Sequence, residues 1–544
     1  MKKFASLLLA FAMTVGMLTG CGGGDNGTNS TGEAPAQEVT VAIASTFATL
    51  DPALISTTHM THVYGNMGSN FYRTDADGVL QYDLGEKVEK SEDGLTYTFT
   101  IKDGLKWSDG EALTAEHFVY GLKRAIGYGP DNAYNKKTLV NFIAGAEEAA
   151  NAAMDVADMA NVGVVALDNT SFQVTLSTPC PFFERVFSAN VTAPMRPDFA
   201  LEHDSSWSVN GTYPTSGPMK LESISPEEEA VLVKNENYWD AANVTLDKAT
   251  FVVMTDSTAQ VNAFRTGDID IAMSVPAEVA TNSQYEANLI LPKKYISNYF
   301  VLLNSGPKAQ VEAIKDENVR KALALAIDKN TMLSILGEKA NTRLDGYIPY
   351  GFEGTDGKDF RDEKSYGEFN LEKAKALMEA AGYNENNHLK FEYLYSNSQF
   401  HSDVAQLLQQ MWAQIYVDVE VKAIEMGVFY DYVDNGDFTA SRYGNNDSTD
   451  PMSYFQIFTT DSQIAGCQAI TDPVLDQMVE EAYQITDRDA YIAKLHEIED
   501  YFVNEKQYVI PLFTQNALVL AQSNLEGLWI TVGGSPILTS VVVK

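Results

Sequence analysis

The chain has 544 residues, 45% of them apolar, and carries 74 acidic against 38 basic side chains, for a formal net charge of -36. That length suits two or three domains with sizeable cores. The charge argues against nucleic acid and anionic lipid headgroups as partners, since both would be repelled. It reads either as attraction for cationic ligands or, preferably, as an acidic surface that keeps an exported protein soluble.

The chain opens with Lys2-Lys3 and an apolar run over residues 4–18. At about fifteen residues this run is short of the roughly twenty that a membrane span needs, so residues 1–20 read as a secretory signal peptide. Leu18-Thr-Gly-Cys21 resembles the lipobox of bacterial lipoproteins, which implies cleavage before Cys21 and lipidation of its thiol. Residues 21–37 then form a Gly-, Asn- and Thr-rich flexible tether with nothing to build a core. Of the other cysteines, Cys180 and Cys467, the sequence separation gives no ground for a disulfide.

Residues 39–43 read as a short strand, ended by the turn Thr49-Leu-Asp51-Pro52. His59-Met-Thr-His62 offers two imidazoles at i, i+3, a weak metal-ligand spacing with no acidic or cysteine cluster beside it; solvent-facing helix positions are the preferred assignment. An Asp/Gly turn follows the aromatic segment at Asp77-Gly78. In residues 91–110 Leu95, Tyr97, Phe99 and Ile101 fall on one face and three Asp-Gly pairs punctuate the block, so a β-meander is expected. Thr114 is placed to cap a helix whose apolar face is Phe118, Val119, Leu122 and Ile126.

Further on, Ser305-Gly-Pro-Lys308 fits a Ser-x-x-Lys nucleophile pattern. It lacks an accompanying Lys-Thr-Gly and holds a proline, so a loop is the better reading and no enzyme is expected. Val319, Ala322, Leu323, Ala326 and Ile327 mark one helix face, and residues 371–381 form another helix, ended by Gly382. Residues 389–395, 402–416, 417–423, 428–433 and 438–443 then read as strand, helix, strand, helix, strand. In such sheets ligands bind outside the carboxyl ends of the strands, where Asp447 and Asp450 fall. The plainer alternative is that Asp447 caps a turn and Asp450-Pro451 starts the next helix.

Leu50-Asp51-Pro52, the Asp93–Gly110 block and the Thr-Ala-Glu-His-Phe-Val-Tyr helix start resemble the oligopeptide-binding OppA-like lipoproteins of ABC importers, family 5 of the extracellular solute-binding proteins. So do Val174-Thr-Leu-Ser-Thr-Pro179-Cys-Pro181-Phe-Phe183, Thr215-Ser-Gly217-Pro-Met-Lys220, Lys234-Asn-Glu-Asn-Tyr238-Trp239-Asp240, Phe264-Arg-Thr-Gly267-Asp268-Ile-Asp270 and Asp316-Glu-Asn-Val-Arg320, all in order.

The resemblance implies an α/β, two-lobed periplasmic-binding-protein fold (type II, cluster C-like) with an extra domain inserted in the first lobe. Lobe one would be 38–64, 191–297 and 511–544, the inserted domain 65–190 and lobe two 298–510. Hinge strands are expected near 295–304 and 508–520. It implies short peptides as ligands, ABC permease and ATPase subunits as partners, a monomer without cofactor, and a lipid-anchored place on the outer face of a Gram-positive cytoplasmic membrane. Counting back from Asp450-Pro451, Asp447 matches the aspartate that accepts a peptide's α-amino group. Tyr295 keeps an aromatic position of the cleft wall. Tyr443 and Gly444 stand where relatives have a Trp, and Met426 replaces another; Arg442 is one position from an arginine that answers a C-terminus. The family's glutamate after the Leu-Asp-Pro turn falls at Ser56. Nickel- and haem-binding relatives, and peptide-sensing receptors, are the alternatives that the resemblance leaves.

Overall fold

The computed structural model describes residues 36–55, 57–128, 136–202, 213–447, 449–460 and 469–544. Residues 1–35, on which the expected signal segment, Cys21 and most of the expected tether fall, lie outside them, as do Ser56 and Cys467. Among the described residues seven strands form a first sheet, in the order Leu289–Ile290, Val519–Ala521, Ile271–Ala272, Glu38–Ile43, Lys248–Val253, Glu229–Lys234 and Met219–Ser225. Glu38–Ile43 runs parallel to both of its neighbours, and Val39, Val41, Ala42 and Ile43 are all buried. Burial of the consecutive Val41, Ala42 and Ile43 is the mark of a strand covered on both faces. Just before it, Gln37 is tied down: its Nε2 donates to the Val543 carbonyl at 3.0 Å and its Oε1 accepts the Val543 N–H at 2.9 Å.

A second, six-stranded sheet has the order Asn341–Arg343, Val509–Gln515, Asn298–Leu303, Ala440–Asn445, Leu389–Ser396 and Val417–Ile424. The expected β-α-β-α-β succession stands here as Leu389–Ser396, Gln399–Ala413, Val417–Ile424, Met426–Asp434 and Ala440–Asn445. Leu389–Ser396 pairs in parallel with Val417–Ile424 on one side and Ala440–Asn445 on the other. The chain order therefore reverses at this strand, the topology that in such sheets directs ligands to the carboxyl ends of the strands. The helix Glu317–Leu325 turns Val319, Ala322 and Leu323 into the core, and the Trp412 indole N–H donates to the Leu323 carbonyl at 2.9 Å.

The chain crosses between the two sheets twice, at 291–297 and at 516–518, because Leu289–Ile290 and Val519–Ala521 belong to the first sheet while Asn298–Leu303 and Val509–Gln515 belong to the second. Between Glu38–Ile43 and Met219–Ser225 a separate four-stranded sheet is interposed, in the order Gly85–Lys90, Thr96–Ile101, Ser171–Thr175 and Val164–Ala166. Tyr97, Phe99 and Ile101 are buried as their alternation required, and Gly94, Gly104 and Gly110 all take positive φ after their aspartates. The expected meander is shorter than its pattern. Thr96–Ile101 pairs with the strand before it, whereas the segment after it makes only the bridge Lys106 to Ala112 and leads into the helix Ala115–Gly127. On that helix Phe118 stacks on Phe172, ring centres 5.2 Å apart.

Two buried ion pairs fasten these parts. Asp51, in the Leu-Asp-Pro turn, accepts from Arg124 of the helix Ala115–Gly127 at 2.9 Å. Glu499 accepts from Arg361, and both side chains are fully enclosed. Ser305-Gly-Pro-Lys308 lies outside helix and strand, and Lys308 Nζ donates to the Asn435 carbonyl at 2.7 Å.

Candidate ligand-binding cleft

The second sheet ends toward a cavity of about 700 Å³. Its walls come from six places distant in sequence: Thr57 and Thr61 at the start of the helix Thr58–Met67, Arg73 to Asp83 and Arg185 to Asn190 of the interposed body, Pro218 with Tyr238 and Asp240, Asn445 with Asp447 at the end of the strand Ala440–Asn445, and Trp529 to Ser535 near the C-terminus. Most of the lining side chains are hydroxyls, amides and charged groups. Such a wall offers a ligand many hydrogen-bond donors and acceptors alongside apolar surface from Ile55, Pro218, Trp529 and Ile537.

The loop that carries Asp447 is held by a relay of short polar side chains. Asn298 sits opposite Asn445 in the neighbouring strand; its Oδ1 accepts the Asn445 N–H at 2.9 Å and its Nδ2 donates to the Tyr347 carbonyl at 2.7 Å. Asn445 Oδ1 then accepts the Asp447 N–H at 3.0 Å, and Asp447 Oδ1 accepts the Thr449 N–H at 2.8 Å. These are Asx turns, in which a side chain two residues back substitutes for a backbone acceptor. Asp447 thus closes a turn and, 9% exposed, also lines the cavity. Asp450, fully enclosed, stands just ahead of the helix Met452–Gln456: it accepts the Met452 N–H at 3.0 Å and the Tyr491 hydroxyl at 2.6 Å.

The other residues singled out in the sequence fall elsewhere. Arg442, in the strand Ala440–Asn445, donates to Ser396 Oγ through Nε at 3.0 Å and Nη2 at 2.6 Å, with its guanidinium over the Phe429 ring at 4.6 Å. Met426 is 51% exposed, its Sδ 3.9 Å from Arg442 Nη2. Tyr443 packs against Phe300 and Tyr430. These three form one group around the helix Met426–Asp434, apart from the lining of the 700 Å³ cavity. Tyr295 lines a different hollow, of about 310 Å³, with Gln515, Asn516 and Leu518 where the chain crosses between sheets; burial pushes its hydroxyl pKa up.

The paired imidazoles are not solvent-facing. His62 is buried, with Nδ1 3.1 Å from Ser535 Oγ, and its pKa is pushed down to about 3, first by burial and then by His59. The two rings meet edge-on at 5.7 Å, and among the described residues no three His, Cys, Asp or Glu side chains stand together as a metal cage would need.

Two cavity residues carried no local signal in the sequence. Asp83 is held by the Tyr238 hydroxyl at 3.1 Å and the Trp239 indole N–H at 3.0 Å, and Arg185 follows the Pro181-Phe-Phe segment. Tyr238 and Trp239 lie in one of the motifs quoted above, but nothing in it points to a partner 155 positions away.

A two-sheet α/β body with a cavity beyond the carboxyl end of Ala440–Asn445 and a third body interposed in its first half is the architecture of a solute-binding protein. The chain belongs to the family described as Bacterial extracellular solute-binding proteins, family 5 Middle, which matches residues 79–466. It is 26% identical to the oligopeptide-binding protein OppA of Bacillus subtilis, over 97% of both chains. With the dipeptide-binding protein DppE of the same organism it shares 28% identity, over 85% of this chain and 84% of that one. Among solved structures, Haemophilus influenzae OppA in complex with the peptide RPPGFSPFR superposes with a TM-score of 0.71 at 21% identity, over 93% of this chain and 99% of that one, a likeness of fold.

Proposed function

We propose that this protein captures short peptides in the 700 Å³ cavity and passes them to membrane permease and ATPase subunits of an ABC importer. One observation carries the reading: Asp447, held at the carboxyl end of a sheet strand by an Asx relay, presents a nearly buried carboxylate to a cavity of hydrogen-bonding side chains. A peptide amine is charged at neutral pH, and a carboxylate in a closed site is its natural partner. An extended peptide can satisfy its remaining polar groups with backbone and bridging water, which tolerates many side chains. The names of the curated relatives, oligopeptide- and dipeptide-binding, support the same ligand class.

Residues 1–20 would export the chain and Cys21 would anchor it by lipid to the outer face of the cytoplasmic membrane, with the rest acting as a monomer that binds without catalysing. Residues 38–64, 191–297 and 519–544 would move as one lobe, together with the inserted 65–190, against lobe two at 298–515, closing over the ligand by bending where the chain crosses between sheets; the expected boundary at 511 shifts because Val509–Gln515 pairs wholly within the second sheet. Arg442, Tyr443, Met426 and Tyr295 would approach the ligand in that closed form. Mass spectrometry of small molecules released by acid from protein purified without refolding tests the ligand class. A set of short peptides of mixed sequence is expected; a single non-peptide compound or a metal would overturn it.

A further inference from the structure

Six charged side chains line the cavity: Arg73, Asp75, Asp83, Arg185, Asp240 and Asp447. Arg185 is set apart by its burial and its lack of an anionic partner. It is 7% exposed, on the short helix Phe183–Val186. Its Nη2 donates to one neutral acceptor, the Gly78 carbonyl, at 2.9 Å, while its Nε is enclosed with no acceptor. Among the described residues it makes no ion pair. Asp450 and Glu353 act on it only from beyond pairing distance, and Arg488, paired with Asp450 at 3.4 Å, opposes them.

Other arginines held out of water are served differently. Arg361 meets Glu499, the half-buried Arg124 meets Asp51, and Arg320 donates to the carbonyls of Ile314, Lys315 and Lys506. Arg442, 6% exposed and likewise without an ion pair among the described residues, lies outside the cavity lining and directs two nitrogens at Ser396 Oγ against the Phe429 ring. A guanidinium taken out of water is costly unless an anion or several acceptors meet it, and its planar fork matches a carboxylate. Arg73, by contrast, is exposed and solvated. A ligand carboxylate entering this acidic cavity would be repelled by four aspartates and attracted at one enclosed cation.

We propose that Arg185 is the receptor for a carboxylate of the bound ligand, so that the cavity selects peptides that bring one. The assignment rests on the peptide reading above and adds to it a second charged anchor, opposite in sign to Asp447. The carboxylate can come from the peptide's C-terminus or from an acidic side chain, and the two sources are separable by experiment.

Calorimetric titration of the purified full chain with trialanine, trialanine amide, and the C-terminal amides of Ala-Glu-Ala and Ala-Gln-Ala makes the separation. A C-terminal source predicts that trialanine binds roughly 10- to 100-fold tighter than its amide, the range expected for a charge-assisted hydrogen-bonded pair. A side-chain source predicts the same margin between the Glu and Gln amides. R185Q should erase whichever preference is present, and R185K should keep a reduced one. Wild-type affinities equal within about twofold for both pairs, or R185Q weakening all four peptides alike, would overturn the assignment and leave peptide binding standing. No binding of any of the four would overturn both.

Discussion

Asn298 and Asn445 lie opposite one another in adjacent strands, and the Asn298 carboxamide bonds the Asn445 N–H at 2.9 Å while donating to the Tyr347 carbonyl at 2.7 Å. Asn445 in turn accepts the Asp447 N–H at 3.0 Å. Asn298→Ala would remove both of its carboxamide bonds, the one to the Tyr347 carbonyl fully buried, at a cost of about 1–3 kcal/mol in stability. Peptide affinity should fall with it, since Asp447 is no longer held. Urea unfolding and calorimetry on the same preparation check the two effects together.

Glu499 Oε1 accepts the N–H groups of Tyr347 at 2.8 Å and Ile348 at 2.9 Å as well as the Arg361 guanidinium. Tyr347 is also the residue whose carbonyl holds Asn298, so the enclosed pair supports the cleft from behind. Arg361→Met leaves an unpaired carboxylate out of water and should cost about 3–5 kcal/mol. The measurement is the urea midpoint, and a change within the error of the wild-type value would contradict the role given to the pair.

His62 sets a direction for the effect of acid. Burial holds it neutral, with its folded pKa at about 3 against an ordinary value near 6.5, so in the window between them the unfolded chain binds a proton that the folded one refuses. Its contribution is complete above about pH 6.5 and is lost as the pH falls toward 3, with a slope of at most about 1.4 kcal/mol per pH unit. His117 and His401, both pushed down to about 4 chiefly by burial, act in the same direction. Urea unfolding between pH 7 and pH 4 should show stability falling with acid, and His62→Gln should flatten that dependence.

The sequence revealed the fold far better than the site. The succession from Leu389–Ser396 to Ala440–Asn445 is legible because each element has its own period, and the helix face Val319, Ala322, Leu323 needs only local spacing. Asp447 was reachable because it follows a strand end directly. Arg442 and Tyr443 were not separable from it by spacing, yet alternation along the strand and the place of the helix Met426–Asp434 set them around Ser396, Phe429 and Tyr430. The paired histidines looked exposed because an i, i+3 spacing does not say which helix face is covered; Ser535, 473 positions away, covers His62. Arg185 and Asp83 become cavity residues only through contacts that no local pattern encodes.

Gly444 gives a physical reason for one departure from the relatives. A Cβ there would stand 2.8 Å from the Asn298 carbonyl oxygen, so this backbone arrangement admits no larger side chain without moving the strand that anchors the loop. A tryptophan, from which the sequence departs in this segment, therefore does not fit at Gly444 beside Asn298 as it stands.

The most direct test of the account is a calorimetric comparison of one short peptide with its N-acetylated form, on the wild-type protein and on Asp447→Asn. The wild type should prefer the free amine, and Asp447→Asn should lose about 3–5 kcal/mol of affinity for the free peptide because a charge enclosed with the ligand is left unpaired. Equal wild-type affinity for the free and acetylated peptides would contradict the role given to Asp447.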